Sequence, residues 1–179
     1  MSTSVLETIH GSHLYGLAHA SSDVDSYLVL LEPKGFAKQV KSGDDDSLVI
    51  SLDRFVEQIG LGVPQALEAL WSPVAEIPRE WRPFLSSLQP GRSDTIQRFR
   101  RTIVNFALRR GGRTGSAARQ ISQVKLHRHA LRLLLELEDF CEHGHFSPTL
   151  TPDRVGWVKK TAEMESFEEL LMPRVLSCY

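Results

Sequence analysis

The stretch GSHLYGLAHASSDVDSYLVL, residues 11–30, sets a Gly-Ser pair, a ten-residue spacer and two aspartates ahead of a run of strand-forming side chains. In an extended chain, residues i and i+2 share a face. Asp23 and Asp25 are therefore expected to point together, with Val24 turned to the core. Two ionised carboxylates held that close repel each other unless a cation lies between them or one takes up a proton. Oxygen ligands of this kind suit Mg2+, which binds few protein carboxylates and fills its octahedron with water and phosphate. Alternatively, SSDVDS is a polar turn ahead of a strand, where Asp and Ser are common.

Upstream, residues 5–9 read as a short strand ending at Gly11, after which Ser12 can cap a helix. Free backbone N–H groups at a helix start favour phosphate, and glycine admits a close backbone approach. A phosphate cradle at one strand end beside a carboxylate pair at the next is the equipment of phosphoryl or nucleotidyl transfer.

The chain has 179 residues, 41% of them hydrophobic and 8% aromatic, enough for a folded core. Cys141 and Cys178 supply neither a disulfide framework nor a paired metal-ligand motif, which predicts a reduced, cytoplasmic setting. The opening MSTSVLETIHGS lacks a signal-peptide pattern, and the longest apolar run, residues 27–31, is too short to span a bilayer. No membrane partner is expected. Between Arg92 and Leu135, eleven Arg and Lys stand against Asp94 alone, a net +10, so the rest of a chain of net charge −1 carries −11. Such a block faces a polyanion or forms a solvated helix surface; interleaved acids, usual on the latter, are nearly absent.

The aspartate stretch SDVDSYLVLLEP reads as a strand closed by Pro33, and SLVISL as another. The intervening PKGFAKQVKSGDDD reads as a polar connection. Phe55, Val56 and Ile59 mark a helix from Asp53, broken by Gly60, Gly62 and Pro64, and PQALEALW marks a second. Residues 74–93, with Pro78, Pro83 and Pro90, resemble a linker holding one helical turn. Helical spacing then dominates: Ile96, Phe99, Ile103 and Phe106, and later Leu126, Ala130, Leu133, Leu134, Leu137 and Cys141. Between them RRGGRTGS reads as a basic glycine-rich loop, and a last helix is expected over residues 151–171. The fold class expected is α+β, a small mixed sheet over residues 1–90 followed by a helical, basic half over residues 91–179.

GSHLYGLAHASSDVD resembles the signature of the polymerase-β-like nucleotidyltransferases, and most closely that of predicted members linked to RNA repair in bacteria and phages. Tyr15-Gly16 and Ser22 match that group's pattern. ISLDRFVEQIGLGVPQALEALWSP is similar to its helix and G-N-P segment, with Val63 in place of the usual Asn, and KLHRHALRLL is similar to its K-x-x-x-H-A-x-R motif. The likeness spans roughly residues 5–135. It implies a transferase that moves a nucleoside monophosphate from an NTP to an acceptor hydroxyl, releasing pyrophosphate. Gly11, Ser12 and Tyr15 would contact the nucleotide, and Asp23 and Asp25 would hold two Mg2+ ions. A third carboxylate is implied on a neighbouring strand; within GDDDSLVIS, Asp46 matches its position best, with Asp44 and Asp45 beside it.

Lys125, His129 and Arg132 recur at i, i+4 and i+7, so they share a helix face beside the leucine stripe. Read alone they form an exposed basic edge; the resemblance implies nucleotide contact. His127 and His129 lie about 200° apart on a helix and cannot share a metal. His143 and His145 lack further ligands at suitable spacing, so zinc is not expected. RRGGRTGS is not a P-loop. RNA, tRNA included, is the first acceptor expected, with a protein or small-molecule hydroxyl open. The competing reading is a nucleotidyltransferase fold without catalysis that binds nucleotide or nucleic acid.

Overall fold

The computed structural model describes residues 3–20, 22–42, 45–109, 112–113 and 120–178. The fold is α+β: a four-stranded mixed sheet and eight helices among the described residues, with helices dominating the C-terminal half. It divides into two units, Met1–Thr95 with Ser147–Thr151, and Ile96–Phe146 with Pro152–Tyr179. Among the described residues no helix is long and apolar enough to cross a membrane.

In the first unit, β1 (Ser4–His10) leads into a single helical turn, α1 (Gly11–Tyr15), and then into β2 (Asp25–Leu30), β3 (Ala37–Ser42) and β4 (Asp45–Ser51). The sheet order is β1-β2-β4-β3, with β2 and β4 parallel and both outer pairs antiparallel. β2 buries Tyr27 and Val29 at alternate positions, and β4 buries Ile50 opposite Val29. This period-two pattern fixes the register, because a slip of one residue would turn those side chains to the wrong face. Against the sheet lie α2 (Leu52–Gly60), which buries Phe55 and Ile59, and α3 (Pro64–Leu70), opened by a proline in the first turn. A short α4 (Arg82–Ser87) occupies the proline-rich stretch.

β3 replaces the polar connection expected between Pro33 and Asp46. Its residues from Ala37 to Lys41 are all exposed, so no hydrophobic alternation betrays it. Lysines on an outer strand also discourage further pairing. Ser12 does not cap α1: the cap position is His10, and Ser12 is the second residue inside the turn. The aspartate strand begins only at Asp25, and Val24, expected in the core, is 44% exposed. Asp23 thus precedes the strand, so the i, i+2 rule does not orient it. Gly43 and Asp44 lie outside the described residues.

α5 (Arg92–Leu108) starts in the first unit and continues in the second, which adds α6 (Gln123–His143), α7 (Pro152–Thr161) and α8 (Phe167–Ser177). β5 (Gly112–Arg113), which pairs with β6 (Gln120–Ile121), stands within the expected basic loop, most of which lies outside the described residues. Residues 130–137 of α6 are buried without interruption, the mark of a central helix rather than a surface one. Two forked ion pairs tie neighbours to it: Arg174 of α8 to Glu138, at 2.9 and 2.7 Å, and Arg154 of α7 to Asp139, at 2.5 and 2.7 Å. Forked guanidinium–carboxylate pairs add geometric specificity to charge attraction. The helix expected over residues 151–171 is instead two, because α7 stops at Thr161 and α8 begins at Phe167. No glycine or proline marks that break, and Pro173 sits inside α8.

Candidate active site

The parallel register of β2 and β4 sets Asp25 directly beside Asp46, and the antiparallel register of β1 sets His10 on the other side of Asp25. β3 extends the row with Lys41 opposite Asp46. Side chains opposite one another on neighbouring strands lie on one face, so one sheet end presents His10, Asp25, Asp46 and Lys41 together. His10, Asp25 and Asp46 border a cleft of about 330 Å³, lined also by Ser26, Tyr27 and Gln39.

Gly11 lies against this row. Its φ is +67°, and a Cβ there would stand 2.4 Å from Asp25 Oδ2. Only glycine both tolerates that backbone and leaves room for the carboxylate. The Gly-Ser signal thus translates into a contact with the aspartate signal. α1 is five residues long and ends at Gly16 with φ +74°. A macrodipole needs more turns than this, so any phosphate would meet individual N–H groups of Gly11 and Ser12 rather than a helix field.

Asp46 Oδ2 accepts a hydrogen bond from Gln39 Nε2 at 2.5 Å and lies 3.7 Å from Lys41 Nζ, while Oδ1 is buried without a hydrogen-bond partner among the described residues. An orphaned carboxylate oxygen at a cleft is an unusual expense and a natural ligand atom for a cation. Among the described residues, no three His, Cys, Asp or Glu side chains converge at metal-binding distance. Asp25 and Asp46 are nevertheless a donor set that Mg2+ accepts, since that ion takes much of its shell from water and phosphate. Asp23 is half-buried just before them.

Tyr15, expected to touch nucleotide, is buried, and its hydroxyl donates to Glu68 Oε2 at 2.6 Å. The same oxygen lies 2.9 Å from His10 Nε2. Glu68, on α3, has a fully buried side chain, and its carboxylate contributes, after burial itself, to pushing the Tyr27 phenol far above its usual range. Tyr27 Oη donates to Gln58 at 3.1 Å. His10 and Glu68 were not among the residues selected from the sequence. Glu68 carries a signal there, an acid amid Ala66, Leu67 and Ala69 in a short apolar helix; His10 carries none beyond adjacency to Gly11.

A larger groove of about 790 Å³ lies elsewhere on the first unit, lined by Leu31, Leu52, Val56 and Phe84 with Asp53 and Glu57. It contains none of the residues selected from the sequence, so the smaller cleft, with its paired carboxylates, is the candidate site.

Lys125, His129 and Arg132 belong to the second unit. Lys125 is exposed, and the His129 ring stacks on Phe106 with centroids 5.2 Å apart. Arg132 is buried and donates to Glu136 Oε1 at 2.6 Å. The three therefore run from solvent to interior rather than along an exposed edge. Part of the basic block is structural in the same way. Arg100 donates to the Val175 and Leu176 carbonyls at the end of α8, and Arg128 lies 3.4 Å from Glu163. Arg92, Arg98, Arg101 and Arg109 remain exposed.

No family model matches the chain, and no curated protein matches it either.

Proposed function

We propose that the protein is a nucleotidyltransferase of the polymerase-β-like kind, moving a nucleoside monophosphate from an NTP to an acceptor hydroxyl. The observation that carries this reading is the in-register pair Asp25 and Asp46, with Gly11 packed on the Asp25 carboxylate. Asp25 and Asp46, with Asp23 beside them, would hold Mg2+, which when bound neutralises triphosphate charge and supports in-line displacement at the α-phosphorus. Gly11 and Ser12 would offer N–H groups to the phosphates. The exposed arginines of α5 favour RNA as acceptor, since basic side chains draw a phosphate backbone whatever its sequence.

The second reading, a nucleotide-binding module without catalysis, is favoured by Lys41, whose ammonium already faces the carboxylate that catalysis would commit to a cation. The test is transfer from each of four α-labelled NTPs with Mg2+ and a mixture of total RNA and cell protein, beside the Asp23→Ala/Asp25→Ala double variant. Label in one fraction, lost in the variant, supports the transferase and names its acceptor class. Thermal stabilisation by NTP without label in any fraction supports the module.

A further inference from the structure

His10 stands at the cleft with one ring nitrogen committed and the other not. Its side chain is 13% exposed, and Nε2 faces the fully buried Glu68 carboxylate at 2.9 Å. Tyr15 donates into the same oxygen. An ionised carboxylate only accepts, so Nε2 carries a proton, and in the neutral ring Nδ1 is left with a lone pair. Nδ1 makes no hydrogen bond to the described residues. The ring plane is fixed on two sides, by Tyr15 edge-on at 5.8 Å and by a tilted Tyr27 at 5.9 Å. A buried carboxylate is costly, and a ring serving packing alone would not need one. The arrangement repeats the logic by which a carboxylate behind a histidine sets the tautomer shown to a substrate.

The chemistry of what can meet Nδ1 is narrow. A lone pair beside Asp25 and Asp46 repels phosphate and carboxylate oxygens, and it favours a neutral group that donates. The cleft, about 330 Å³ and lined also by Gln65, suits a sugar-sized polar group better than a peptide segment. Resting on the nucleotidyl-transfer reading, we propose that His10 recognises a ribose hydroxyl through Nδ1, with Glu68 and Tyr15 as positioning residues that hold its tautomer. Tyr15 then serves the site from behind His10 instead of touching nucleotide.

The test reads the resting full-length protein by NMR of ring-15N-labelled histidine, with adenosine as probe and 2′,3′-dideoxyadenosine as its hydroxyl-free counterpart. The expected result is an Nδ1 lone pair and a protonated Nε2, with Nδ1 moved by adenosine and not by the dideoxy compound. Glu68→Gln is expected to change the tautomer mixture. His10→Gln keeps a donor toward Glu68 but nothing at the Nδ1 position, and is expected to bind adenosine roughly tenfold more weakly, the worth of one hydrogen bond. In the transfer assay it is expected to slow label transfer, and the stabilisation by NTP is expected to shrink with the loss of the ribose contact. A protonated Nδ1, equal responses to the two nucleosides, or no response to either overturns the proposal. Absence of label with the wild-type chain overturns the transferase reading, whereas the NMR response of His10 to the two nucleosides still decides the histidine's role.

Discussion

Replacing Gly11 by alanine strikes backbone and site together. At φ +67° a side chain is strained, by about 1–2 kcal/mol for an L-residue in the left-handed region. The new Cβ would also stand 2.4 Å from Asp25 Oδ2 and 3.3 Å from its Cγ, so the carboxylate must leave its place. For a chain of this size each kcal/mol shifts Tm by about 2–4 °C, which puts the loss at about 2–8 °C. The site effect is separate. A ligand at a hundred times its Kd stabilises by about 2.7 kcal/mol, about 5–11 °C on the same scale, and that gain with Mg2+ and NTP is expected to vanish in the variant. Gly62→Ala is the control. Its φ is +64°, and its Cβ would meet Thr95 Cα at 2.3 Å, with Thr95 rather than any residue of the carboxylate row supplying its nearest atoms. It should lose at least as much stability yet keep the ligand-induced gain. Thermal scans of the three proteins, with and without Mg2+ and each NTP, decide the matter. A Gly11→Ala protein that melts like wild type, or that melts lower with the gain intact, would refute the reasoning.

Asp46→Asn keeps the shape of the Gln39 partner but removes the charge; it should abolish the Mg2+-dependent part of NTP stabilisation in thermal scans, whereas Lys41→Met should preserve it. Arg132→Met removes the guanidinium from the buried Glu136 carboxylate and should cost about 3–5 kcal/mol in urea unfolding, most of it recovered in Arg132→Met/Glu136→Leu. A normal stability with lost NTP binding would instead assign Arg132 to the nucleotide. Burial, and then the neighbouring Cys141 thiol, push the Cys178 thiol up to about 11. The folded value lies above the ordinary value of about 8.5, so the neutral thiol contributes fully below that pH and its contribution is lost as pH rises toward 11. The urea midpoint of wild type should therefore fall relative to Cys178→Ala above about pH 9; parallel curves would contradict this.

The strands that bury one face were legible as strands, because Tyr27 and Val29, and Ile50 after them, impose the alternation that the chain displays. β3 was not, since a fully exposed outer strand has no hydrophobic face to show. α2, α3 and α6 announced themselves by apolar spacing and by proline and glycine at their ends. The division at residues 162–166 did not, having neither. In the site, the Gly-Ser and Asp-x-Asp signals named Gly11 and Asp25, but their contact is a fact of strand register. Asp46 was selected through the family resemblance, and its place beside Asp25 comes from a parallel pairing that sequence periodicity does not encode. His10 and Glu68 meet across 58 positions of chain, a separation at which no local pattern operates. Arg132 had a visible partner four residues on, Glu136, and helix spacing alone could have joined them.

Residues 147–151 come late in the chain yet belong to the first unit. Thr149 Oγ1 donates to the Leu14 carbonyl at 2.9 Å, and the Leu150 amide donates to that of Tyr15 at 3.3 Å. The last carbonyls of α1, the turn that presents Gly11 and Ser12, are thus completed by a strap encoded more than 130 positions downstream. A gene fragment ending after Thr95 would encode every residue of the carboxylate row and still lack this strap. The candidate catalytic core is therefore not a transplantable cassette: recombination that severed it from the C-terminal half of the gene would carry away its chemistry and leave part of its scaffold behind.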